Sequence, residues 1–228
     1  TPTMEQQADD VLAVMDAVGM DSATMFGTLG TCGPLALIAA RAPERVRGLV
    51  LLAPIPHGLE SPGELEGWTD AERQSVLEGY RHAFAIWGSG EIIDMCDPVQ
   101  ATSYNRRLMA LLERSSATPA AAQAYLDWIF QVDFRDVLRS IQVPTRVLRI
   151  PSNRVPESVG RYVGDLVPGG TFHELPASLP VAAVARRIAR RSARRGRTPR
   201  PQGRGRRRCG PASRTPSTCW TGSGDSPT

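Results

Sequence analysis

The chain has 228 residues, 41% of them apolar, which is enough for one domain with a sizeable core. No apolar run reaches the ~18 residues that a membrane span requires, and the opening Thr-Pro-Thr-Met-Glu lacks the basic and apolar regions of a signal peptide, so the cytoplasm is the expected compartment. The net charge of +4 conceals two opposite parts: residues 1–176 hold 14 arginines against 22 acids, a balance of −8, and residues 177–228 hold 13 arginines against one acid, a balance of +12. The four cysteines (Cys32, Cys96, Cys209, Cys219) have neither metal-ligand spacing nor the density of a disulfide framework, and no cofactor or metal motif occurs. Cys32 and Cys96 read as reduced, partly buried thiols.

In chain order, Ala8, Val11, Leu12, Met15 and Val18 recur at helical spacing and predict a first helix, with Thr3 and Gln6 as a capping box and Gly19 as the stop. Ala23–Phe26 reads as a short strand, followed by a glycine-rich turn and a helix over 35–42 with Pro34 near its first position. The continuous apolar run 48–53 predicts a parallel strand covered on both faces. Strand, helix and strand in this order make a right-handed βαβ unit. Residues 54–69 are rich in Pro and Gly and read as loop, and residues 70–131 as several amphipathic helices with no strand between them. A strand over 145–150, a helix over 156–166, a Pro168-Gly169-Gly170 turn and a last strand over 171–175 complete the pattern.

The stretch Met25-Phe26-Gly27-Thr28-Leu29-Gly30-Thr31-Cys32-Gly33-Pro34-Leu35-Ala36-Leu37 resembles the turn on which α/β-hydrolases hold their nucleophile, usually as G-x-S-x-G. The preceding helix around Ala8–Gly19, the helix end and strand over 42–53, and the segments 132–138 and 141–148 resemble the elements that flank this turn in that family, in the same order. The resemblance covers residues 4–176 and is nearest to esterase-like actinobacterial hydrolases, including those found beside nucleotide cyclases. It implies an α/β fold: the C-terminal half of a mostly parallel sheet with flanking helices and a helical lid over about 54–140. Family members carry four more strands ahead of this segment, so the strand at 23–26 is expected to form an exposed apolar edge. The expected organisation is a partial hydrolase domain, 1–176, followed by a disordered Arg/Pro/Gly-rich tail, 177–228.

Acyl transfer on this fold needs a nucleophile on the turn, a histidine to take its proton and a carboxylate to orient the histidine. Read forward from Gly27, the nucleophile position falls on Leu29; read backward from Gly33-Pro34, it falls on Gly30. Neither supplies a nucleophile. Cys32 is the alternative, because Gly30-Thr31-Cys32-Gly33 approaches G-x-C-x-G and a helix N-terminus lowers a thiol pKa. Pro34 in place of the last glycine counts against it, and a small inert apolar thiol is the favoured reading. The resemblance puts the acid at Asn153, an amide. Glu157 is nearby but opens the next helix. No histidine follows the last strand; His173 falls within it. His57, in the Pro-rich loop, reads as a solvated loop residue, and His82 as an exposed residue of a lid helix.

Among the lid aromatics Trp68, Phe84, Trp87, Tyr125, Trp128 and Phe130, helix packing is favoured over a substrate pocket. The expected function is therefore that of a protein of ester- or acyl-hydrolase ancestry whose Ser-Asp-His positions are unfilled, with hydrolysis through Cys32 as the alternative. The implied partner is a small acyl or ester ligand. No membrane partner is expected. Nucleic acid is not expected either, since Trp220 is the one aromatic among the tail's arginines and no binding fold is recognisable.

Overall fold

A computed structural model describes residues 2–60, 66–151, 154–177 and 183–188. Four strands, β1 (Ala23–Thr28), β2 (Val46–Leu52), β3 (Thr145–Arg149) and β4 (Thr171–Glu174), form one sheet in the order β1-β2-β3-β4. Every pairing is parallel, with Gly27 opposite Leu51, Leu51 opposite Val147, and Val147 opposite Phe172. Side chains alternate across such a sheet, and the two faces sort accordingly. Met25, Leu49, Leu51 and Val147 enter the larger core. Phe26, Val50, Leu52 and Leu148 enter a smaller cluster on the opposite face. Both faces of β2 are therefore covered, which explains its unbroken apolar run.

The larger core is built by α1 (Met4–Ala17), α2 (Cys32–Arg41), α7 (Arg135–Arg139) and α8 (Glu157–Leu166). Thr3 and Gln6 form the capping box at the start of α1, and Gly19 takes the left-handed φ of 66° just past its end. Helix α2 begins three residues earlier than its apolar pattern indicates, at Cys32, after a short 3-10 turn over Leu29–Thr31. Pro34 still lies in its first turn, where a missing N–H leaves no bond unmade. Full burial of Leu49, Leu51, Leu138, Ile141, Val147 and Val163 contributes about 1.5–3 kcal/mol per side chain.

Between β2 and β3 the chain forms the lid: α3 (Asp70–Ala85), α4 (Ile92–Cys96), α5 (Ser103–Ser116) and α6 (Pro119–Ile129). Thr69, Thr102 and Thr118 cap α3, α5 and α6 through their hydroxyls, which marks each start in the sequence. The lid has its own core of Val76, Leu77, Tyr80, Phe84, Met95, Ala122, Leu126 and Phe130, closed below by Ile55, Leu59 and Val159. Structure also extends past Pro176, where the composition changes: residues 183–188 are helical, and Val184 packs with Val50, Leu52, Leu148 and Ile150 against the sheet. No helix among the described residues is long and apolar enough to cross a membrane.

Candidate functional site

The lid sits over the C-terminal ends of β1 and β2, the end of a parallel sheet where ligands bind. There β1 turns into α2 through Thr28–Thr31. The turn is closed by Thr31, whose hydroxyl donates to the Thr28 carbonyl and accepts from the Thr28 N–H, both at 2.9 Å. Leu29 has a φ of 50°. A left-handed branched residue is strained by about 1–3 kcal/mol and persists only where its surroundings hold it. Of the two positions that the sequence leaves open for the nucleophile, Leu29 carries this strain. Gly27 allows the tight passage, since a Cβ there would lie 3.1–3.2 Å from Leu35, Cys32 and Thr31. A Cβ on Gly30 would lie 2.7 Å from the Ile129 side chain, so α6 rests directly on the turn.

A cavity of about 170 Å³ lies between the turn and the lid. Its walls are mainly Leu29, Ile55, Phe84, Ile129 and Phe130. Thr28, Thr31, Tyr80, Tyr125 and Cys96 also line it. Among the described residues, no histidine, carboxylate, lysine or arginine lines it. Burial raises the Tyr80 and Tyr125 hydroxyls above the ordinary range and pushes the Cys96 thiol up to about 11, so all three stay protonated. The aromatics divide between the two readings: Phe84, Tyr125 and Phe130 line the cavity, Trp68 and Trp87 pack into the lid core, and Trp128 packs against the main core while stacking on Tyr125 at 5.6 Å.

Cys32 is fully buried at the first turn of α2, with Sγ 3.9 Å from the Leu52 carbonyl. Burial drives its pKa far upward, against the smaller effect of that hydrogen bond. Gly33 beside it packs on Met4 and Phe134. Asn153 lies outside the described residues, as do Cys209, Cys219 and Trp220. Glu157 opens α8, as its sequence position indicates. His173 is an exposed β4 residue whose ring meets the Thr171 hydroxyl at 3.2 Å. His82 is exposed and lies 3.4 Å from Glu91.

His57 differs from its sequence reading as a solvated residue: it is 8% exposed. The loop after β2 is roofed by the chain returning from the lid. Phe134 N–H donates to the Pro56 carbonyl at 3.0 Å, Glu60 N–H donates to the Phe130 carbonyl at 2.9 Å, and His57 bridges to Asp133. His57 Nε2 stands 3.7 Å from Asp133 Oδ2, and its buried Nδ1 has no hydrogen-bond partner. Asp133 in turn holds Arg135, which also reaches Glu66 at 3.2 Å. Burial, together with Arg135, keeps the imidazole pKa below its ordinary value. This is a histidine–carboxylate pair, but neither member lines the cavity. No local signal marks it, because its partners arrive from the far end of the lid. Among the described residues, no group of three or more His, Cys, Asp or Glu is arranged to hold a metal ion.

No family model matches the chain. A karrikin insensitive 2 receptor of Petunia hybrida is 26% identical over 180 residues, which cover 76% of this chain. The match spans 64% of that receptor's length. Among solved structures, an α/β hydrolase enzyme from a Medee basin deep-sea metagenome library matches with a TM-score of 0.60 at 14% identity, covering 86% of this chain and 73% of the other. The enol-lactonase of Burkholderia xenovorans matches with a TM-score of 0.59 at 16% identity, covering 83% and 71%. In order of elements, in the strained turn at Leu29 and in these likenesses, the chain has the α/β-hydrolase fold.

Proposed function

We propose that this chain is a catalytically impaired member of the α/β hydrolases that retains a cavity for a small neutral ester- or lactone-like ligand. The observation that carries this reading is Leu29. It holds the left-handed bend that the fold reserves for a nucleophile, yet its side chain is an alkyl group facing a cavity with no base and no acid among its described walls. The cavity has room for a ligand of modest size, and its uncharged walls favour a neutral one. The phenols of Tyr80 and Tyr125 and the Thr28 hydroxyl are the candidate donors to a ligand carbonyl oxygen. The likeness to an enol-lactonase and to a receptor named for karrikin agrees with a small ligand. Asn153, at the position where the resemblance puts the acid, is an amide and cannot stabilise an imidazolium as a carboxylate does.

Hydrolysis through Cys32 is the competing reading. Its place in the first turn of α2 favours a lowered pKa, but its complete burial outweighs that and weighs against a thiolate. Hydrolysis of p-nitrophenyl acetate by the purified chain separates the two. The expected rate equals that of buffer, and Leu29→Ser alone leaves it there, because a hydroxyl without a base is not activated. Enzymatic turnover that disappears in Cys32→Ala would overturn the proposal.

A further inference from the structure

Helix α5 carries a surface that neither the core nor the cavity uses. Tyr104, Leu108, Leu111 and Leu112 are between 47% and 68% exposed, although they are large and apolar. At about 100° per residue they fall within one arc of roughly 100°, while Ala110 and Glu113 are buried on the opposite side. Arg107 and Arg114 run along one border of this arc. Arg107 is exposed and has no ion-pair partner among the described residues. Arg114 donates to the Gly88 carbonyl at 2.5 Å and so keeps its full charge. The one acid of α5, Glu113, faces inward and accepts from the N–H groups of Gly88 and Gly90, at 2.6 and 3.0 Å. The exposed side of α5 is thus an apolar stripe with cations along one border, the neutral Asn105 and Ser116 along the other, and no outward carboxylate.

We propose that this face of α5 docks on an anionic lipid surface, with Tyr104, Leu108, Leu111 and Leu112 entering the headgroup boundary and Arg107 and Arg114 meeting lipid phosphates. A surface contact of this kind needs an amphipathic helix rather than a spanning one. The charges select the occupant. In an antiparallel pairing of two copies about a twofold axis, the arginine borders of the two α5 helices would face each other, and α5 has no outward carboxylate to offset them. An anionic bilayer meets both features at once. Residues 1–176 are acidic overall, so a local cationic border is needed for them to approach an anionic surface, and the 13 arginines of residues 177–228 add further positive charge to the chain. This contact does not depend on whether the cavity turns over its ligand.

The test is co-sedimentation of the full chain with vesicles of phosphatidylcholine, alone or mixed with phosphatidylglycerol, at low and high salt. The expected result is strong partition onto the mixed vesicles, with a salt-resistant part contributed by the stripe. The double variant L108Q/L111Q, changed at exposed positions and checked for an unaltered circular dichroism spectrum, should lose at least about tenfold of that partition. Tyr104→Trp should gain fluorescence quenching by brominated lipid. R107Q should reduce the preference for the anionic mixture. Equal partition of L108Q/L111Q and the unaltered chain would overturn the proposal, because the arginine-rich segment alone would then hold the protein. So would a failure of the unaltered chain to bind either vesicle, or sedimentation equilibrium showing a dimer that L108Q/L111Q dissolves and that does not bind vesicles.

Discussion

The cavity and the His57 cluster lie on either side of the same lid return, and they divide what an enzyme combines. The cavity has the shape of a site, with a strained turn at its base, apolar walls and a roof of helices, but no histidine or carboxylate among its described walls. The cluster of His57, Asp133, Arg135 and Glu66 has the titrating groups but does not line the cavity. Shape here is set by backbone: the Thr28–Thr31 hydrogen bonds, glycines packed against side chains, and helix caps. Chemistry depends on single side chains, and any one of them can change while the shape stands.

The largest expected effect comes at the joint between the two regions. A Cβ on Gly58 would overlap the Phe130 carbonyl, which is main chain and cannot swing aside. Gly58→Ala should therefore cost about 3 kcal/mol or more, pulling the His57 loop away from the lid and opening the cavity that Phe130 helps to wall. Denaturant unfolding measures the loss. A variant as stable as the unaltered chain would show that the two regions are not mechanically joined.

Leu29→Gly addresses the cavity alone. Glycine takes a φ of 50° without strain, but the substitution also removes an apolar side chain that packs against the lid core. The two effects oppose each other at about 1 kcal/mol each, so the melting temperature should move by only a few degrees. A loss of several kcal/mol would mean that the leucine side chain, and not the hydroxyl and glycine contacts, holds the turn.

The smallest effect belongs to the cluster. Because the folded state keeps His57 less basic than the unfolded chain does, its contribution is complete above the unfolded value near 6.5. As the pH falls through that value the unfolded chain takes the proton first, stability declines, and the decline ends below the folded pKa. His57→Gln should flatten this part of the profile in unfolding titrations at pH 7.5 and 5.5. An identical decline in both proteins would place the acid sensitivity elsewhere.

Much of the scaffold was legible along the chain because its causes are local. The apolar run of β2 follows from covering both its faces, the Thr3–Gln6 pair marks the start of α1, and Gly19 marks its end. The site was only partly legible. Counting from the two ends of the glycine turn gave Leu29 and Gly30 as rival positions, and only the backbone angle separates them: the additional residue is taken up by the 3-10 turn Leu29–Thr31 that precedes α2. His57 read as solvated because a Pro-rich loop is normally a surface loop. Its burial comes from Asp133 and Phe134, which lie beyond the whole lid in the chain, and no periodicity records such a meeting. The lid aromatics were legible as a group but not one by one, since cavity wall and helix packing use the same residue types.

The bend at Leu29 also bears on how readily such a centre could be rebuilt. A protein engineer usually has to impose an unfavourable backbone before a nucleophile can be presented, and that is the harder half of the task. Here the awkward conformation already exists beneath an ordinary alkyl residue. Among the described walls of the hollow there is no proton acceptor and no orienting partner, so on the proposed reading rescue would begin at the rim and reach the elbow last.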